Sequence, residues 1–279
     1  MRRAFISFAC FLFAANSAFA DDLERAMAAY HGAQYQEAIA LFTPLAEAGI
    51  PRAQTALAHI YAHGEGTPVD HRAAFDWAQR AADEGDAAGQ TLLGIYYLEG
   101  RNTAVNEAEA AHWLGLAAAQ DQPVALHNLG MMLLMGTGIE ANEEEAVRLL
   151  NRAGQLGEGD SFYALGHHYL QKALVSGDVD PGLEYFVRAT LKGHRVAMAT
   201  LGYLLEDFPE VENHQLKSAF QYQTAIIAGC TDLDEAAARV TARLSPEELV
   251  LLEESLVFWL PKLEPQIHDR NPVAGTCLS

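Results

Sequence analysis

"AFDWAQRAADEGDAAGQTLLGIYYLEG", residues 74–100, holds two short apolar patterns that meet at Gly85. In the second, Leu93 and Tyr97 stand four apart, the spacing that puts two side chains on one face of a helix. In the first, Trp77 and Ala81 do the same. A step of 36 residues in either direction meets both patterns again. Leu57, Leu93, Leu129, Leu165 and Leu201 form one column, with Tyr61, Tyr97, Leu133, Tyr169 and Leu205 four residues on. Trp77, Trp113, Leu149, Tyr185 and Gln221 form another, followed by Ala81, Ala117, Ala153, Ala189 and Ala225. A large residue beside a column of alanines is what close helix packing requires. Gly49, Gly85, Gly157, Gly193 and Gly229 end the second patterns as left-handed helix stops, with Asp121 in the remaining unit.

A single helix pair cannot bury its own apolar face, so the pairs stack on their neighbours. The expected fold is all-α, a right-handed α-solenoid of stacked antiparallel helix pairs with a 36-residue period and a C-terminal capping helix pair. "GEGTPVD", "GTGIEAN" and "SGDVDPG" are the turns inside units. Residues 21–50 read as a tetratricopeptide-like opening unit, 51–229 as five repeats, 230–263 as capping helices and 264–279 as a loose tail. In "SPEEL" Ser245 and Glu248 make a capping box, and the helix that follows runs to about Leu260. Its apolar "LVFWL" covers the last repeat or, alternatively, serves a dimer.

These residues resemble Sel1-like repeats, relatives of the tetratricopeptide repeat. The family pattern appears as Ala53, Leu57, Tyr61, Gly64 and Gly66, then Ala74, Trp77, Ala81, Ala82 and Gly85. Two departures stand out. Ala58 replaces the usual glycine, and the turns after Lys172 and Phe208 lack G-x-G. The resemblance implies protein–protein scaffolding in envelope assembly or signalling, and rarely catalysis.

Residues 1–20 read as a cleaved secretory leader: Arg2 and Arg3, an apolar run, then Ala18-Phe19-Ala20 as the cleavage signal. The product is then periplasmic or secreted, with no membrane insertion after cleavage. The chain carries 18 Lys and Arg against 37 Asp and Glu, a net charge of −19; loss of Arg2 and Arg3 takes this to −21. Such a surface repels nucleic acid and favours partners with basic or neutral faces. An exported chain can oxidise Cys230 and Cys277 to a disulfide, although two separate thiols fit the sequence equally well.

The candidate site is the stripe of each first helix that faces away from the leucine column. It holds His59 and His63, then Thr91, Ile95 and Glu99, then His127, Met131 and Met135, then Tyr163, His167 and Gln171, and finally Tyr203. First helices line the concave side of such stacks, so the stripe reads as a groove for a partner protein or peptide. Met131 and Met135 suit an adaptable surface, or else serve as core filler. His127, Met131 and Met135 at four-residue steps leave a copper-handling role as an alternative, and His59 with His63 could chelate a metal in the same way. Glycan binding is a further alternative that needs Trp77 and Trp113 exposed. Histidine would also add charge to the groove on acidification.

The sequence carries no H-E-x-x-H, C-x-x-C, G-x-S-x-G or phosphate-loop motif, and no serine stands three before a lysine. The reading is therefore a non-catalytic adaptor without cofactor or resident metal, of open oligomeric state.

Overall fold

The computed structural model describes residues 20–206, 212–268 and 277. The leader expected over 1–20, apart from Ala20, lies outside the described residues. So do the turn after Phe208 and most of the C-terminal tail. Among the described residues every regular element is a helix, and no helix is long and apolar enough to cross a membrane.

The chain divides into two compact units, one ending at Ala146 and the other starting at Val147. The first holds α1 (20–31), α2 (Tyr35–Glu47), α3 (Pro51–His63), α4 (His71–Asp83), α5 (Ala87–Glu99), α6 (Glu107–Ala118) and α7 (Pro123–Met135). The boundary falls inside α8 (Glu143–Gln155). The second unit continues with α9 (Gly159–Ser176), α10 (Asp180–Thr190), α11 (Arg195–Glu206), α12 (His214–Ile227), α13 (Asp234–Thr241) and α14 (Pro246–His268). From α2 to α7 and from α9 to α13 each helix packs on the next, as stacked helix pairs do, and α14 packs on α12. The first helices begin at Pro51, Ala87, Pro123, Gly159 and Arg195, 36 residues apart each time.

Local chemistry fixes the turns. Inside the pairs, Asp70, Asn106 and Asn142 donate their backbone N–H groups to Tyr61, Tyr97 and Leu133 at 2.9, 2.9 and 3.0 Å. Their side chains then cap the next helix, accepting from Ala73, Glu109 and Glu145 at 3.0, 3.2 and 3.1 Å. The second glycine of each G-x-G serves two needs at once. Gly138 is left-handed at φ 68°, and a Cβ there would lie 2.5 Å from the Glu107 backbone. Gly66 meets Tyr35 in the same way, whereas Asn102 takes the left-handed conformation without glycine. Between pairs Asp121 fills the glycine stop, at φ 59°.

Three sequence expectations shift. The fully buried column of the second helices is Ala78, Leu114, Leu150, Phe186 and Tyr222, one residue beyond the tryptophan column. Trp77 and Trp113 are instead half-buried at the edge of the core, and the Arg80 guanidinium lies 4.7 Å over Trp77. Helix α9 runs on for 18 residues to Gly177 because the turn that would stop it earlier has no glycine. Helix α14 passes through Pro261 and Pro265 to His268, beyond the end expected near Leu260.

The second unit is closed by polar and covalent links. Glu206 accepts hydrogen bonds from Tyr222 Oη at 2.7 Å and Arg239 Nη2 at 2.9 Å, joining α11, α12 and α13. Ser245 and Glu248 form the capping box, with N–H to carboxylate at 2.8 Å and N–H to Oγ at 3.2 Å. Cys230 and Cys277 are bonded, with Cα atoms 5.6 Å apart at a sequence separation of 47. Both are buried with Leu233, Val240 and Leu252, and the Cys277 N–H donates to Asp232 at 2.8 Å. Cys277→Ser therefore lowers the unfolding free energy by up to about 4 kcal/mol, the loop-closure value for this length, as read by urea unfolding. A reductant should destabilise the parent and leave the variant unchanged.

Candidate functional site

In the first unit the stripe sits on α3, α5 and α7, and burial sorts it. Thr91 is 5% exposed, and its hydroxyl donates to the Ala87 carbonyl at 2.7 Å. It offers a partner little surface. Its counterpart Thr55 is also buried, donating to Asp86 at 2.8 Å. One turn on, His59, Ile95 and Met131 are half-buried. At the end of the same helices His63, Glu99 and Met135 are exposed, Met135 at 65%. Glu99 is paired with Arg101 at 2.6 Å, which neutralises the rim there. Of the three neighbouring methionines it is Met132, at 2% exposure, that fills the core, while Leu129 is only half-buried. His127 is half-buried on the same helix.

The two histidines of α3 form a stack, with ring centroids 5.8 Å apart and planes 11° apart. His63 Nδ1 lies 2.9 Å from the His59 carbonyl, so Nδ1 carries the proton and Nε2 is the accepting nitrogen. Burial, then the charge of His63, holds His59 below the usual imidazole range, and Glu65 opposes this. Glu65 also takes a hydrogen bond from Tyr30. Burial and that bond push the tyrosine up to about 12.

In the second unit Tyr163 and His167 of α9 come together, rings 4.6 Å apart, over the buried Phe186. Tyr163 also stacks on His194 at 4.5 Å. The sequence reading did not single out His194. Its Nδ1 accepts from the Ala197 N–H at 2.9 Å, which places the proton on Nε2, 3.0 Å from Asp160. The signal was present, because Asp86, Gln122 and His194 each follow a left-handed residue and cap the next helix. Burial, then the charge of His194, also lowers His167. Gln171 and Tyr203 are exposed on α9 and α11. Among the described residues no three His, Cys, Asp or Glu side chains converge as a metal site would require.

Residues 51–86, 87–122 and 123–158 each match the Sel1 repeat family. This stretch is similar to three successive Sel1 repeats. The pairs from 159 onward keep the helix pattern outside that match. A Sel1 repeat protein from Oxalobacter formigenes has a similar structure, with a TM-score of 0.70 and 25% identity over 83% of this chain and 97% of that one. The c5321 protective antigen of uropathogenic Escherichia coli, described as displaying an SLR fold, gives a TM-score of 0.59 at 21% identity. That likeness covers 82% of this chain and 49% of the antigen, so the chain spans about half of its length. A comparison with curated proteins finds no match.

The lowered groups set the acid response. An unfolded histidine binds its proton near pH 6.5, while folded His59 binds it only at lower pH. Its stabilising contribution is complete above 6.5 and is lost as pH falls below that value. Burial alone would raise Glu206, but the hydrogen bonds from Arg239 and Tyr222 and the charges of Arg239 and Arg243 bring it below 4.5. Its contribution is present above 4.5 and disappears as pH falls through the folded value. In urea unfolding across pH, His59→Gln should flatten the limb just below 6.5. Glu206→Gln should lower stability at neutral pH and flatten the limb below 4.5.

Proposed function

We propose that the protein is an exported, non-catalytic adaptor that binds a partner protein or peptide along the outward stripe of its first helices. The observation that carries this reading is the contrast between inner and outer positions of equivalent helices. Leu57 and Leu93 are buried and identical, while the accessible His59, Ile95 and Met131, or His63, Glu99 and Met135, differ at each repeat. A stack constrains its buried columns and leaves its outward positions free to encode recognition.

In the first unit the working residues are His59, His63, Ile95, Glu99, His127, Met131 and Met135. In the second, Tyr163, His167, Gln171 and Tyr203 are the corresponding set. Half-buried thioether and imidazole groups give an apolar, adaptable surface with polar edges. The acidic chain, at −19, suits a basic or neutral partner whose association weakens with salt. The apolar leader and the buried disulfide both support an oxidising, extracytoplasmic location. Half-burial of Trp77 and Trp113 argues against a glycan platform built on those rings.

Site-specific photocrosslinking in the native envelope tests the assignment. A photoreactive residue at 131 should capture one discrete partner, and Ile95→Glu should abolish that capture. The same probe at the exposed Asp76 of α4 should capture nothing. Capture from 76 alone, or capture from 131 that survives Ile95→Glu, places the working surface elsewhere.

A further inference from the structure

Helix α14 carries apolar side chains on two faces. Leu252 and Leu256, four apart, face inward and pack into the core with Leu233, Val240 and Leu244. A second set points outward. Val257 is 76% and Phe258 58% exposed, and Val250 and Leu251 are exposed beside them. The apolar "LVFWL" is therefore not consumed by the cap, since among its described side chains Leu256 packs into the core while Val257, Phe258 and Trp259 are exposed.

Residues 247–253 and 254–260, "EELVLLE" and "ESLVFWL", place Glu247 and Glu254, Val250 and Val257, and Leu251 and Phe258 seven apart. Each pair thus lies along one outer stripe of the helix. A helix that is apolar on both sides calls for cover on both.

We propose that a second copy of this chain covers the outer stripe, with two α14 helices packed antiparallel about a twofold axis. The order of charge and bulk along the stripe selects this occupant. With the axis between positions 254 and 255, position 251 lies opposite 258 and 247 opposite 262. Leu251 then meets Phe258, Val250 and Val257 flank that contact, and the Glu247 carboxylate meets the Lys262 ammonium, each twice by symmetry. Lys262 is already held at that end of the stripe, its Nζ 3.2 Å from the Phe258 ring centroid and 4.7 Å from that of Trp259. A basic helix from another protein would satisfy the glutamates and leave Lys262 facing like charge. Glu254 is the unfavourable member, because it lies near the axis beside its own counterpart.

Sedimentation equilibrium of the purified protein tests the pairing. The protein should be dimeric at about 10 μM, and Val257→Asp/Phe258→Asp should be monomeric while still unfolding in a cooperative transition. Glu247→Lys should weaken the dimer at least about tenfold, and adding Lys262→Glu should restore it. Glu254→Gln should tighten it. A wild-type monomer at about 200 μM overturns the proposal. So does a dimer that survives Val257→Asp/Phe258→Asp, or one that the charge exchange fails to restore.

Discussion

Where a large side chain fills the space between paired helices, the partner helix makes room by lacking one. At Gly94 a Cβ would lie 2.7 Å from Leu114 Cγ, at Gly202 it would lie 2.9 Å from the Tyr222 ring, and at Gly166 3.0 Å from the Phe186 ring. Each of these glycines follows the buried leucine of a first helix, and each facing residue is a fully buried large side chain of the second helix. The missing methyl gives that large residue its space, and the large residue fills the gap between the helices. In the opening repeat the sequence departs from the rule by placing Ala58 where glycine is usual. The facing position there is Ala78, so both members change together.

That inner constraint leaves the outer surface free. Capping residues and left-handed stops reproduce the same turn three times in the first unit, so successive first helices present equivalent positions. Those positions differ in chemistry from repeat to repeat, the condition for a surface specified by sequence on an unchanged scaffold. The lowered His59 moves its own charging to a pH below that of an ordinary imidazole.

The period, helix starts, stops and capping box were legible because each depends on local chemistry: a left-handed residue, an Asp or Asn cap, a leucine four residues from a tyrosine. Burial was legible only to within one position. The i, i+4 spacing defines a face but not its centre, which is why the buried column falls at Leu114 and Phe186 instead of Trp113 and Tyr185, and why Met132 fills the core. Thr91 reads as an accessible polar residue until its hydroxyl is seen bonded to its own helix. His194 escaped notice because a cap and its cross-element contacts with Asp160 and Tyr163 have no short spacing in the chain. The path of α14 through two prolines was likewise invisible to a rule that ends helices there.

The pairing of a missing side chain with a large one is tested most directly by a double-mutant cycle in urea unfolding. Gly94→Ala, Leu114→Ala and the combined variant, which reproduces the Ala58 and Ala78 pair of the first repeat, should be compared with the parent. The account predicts that Gly94→Ala alone costs about 1–3 kcal/mol from overpacking. In the Leu114→Ala background most of that cost should vanish, a coupling of at least about 1 kcal/mol. Simple additivity of the two changes would contradict it, because the glycine would then serve something other than the space taken by Leu114.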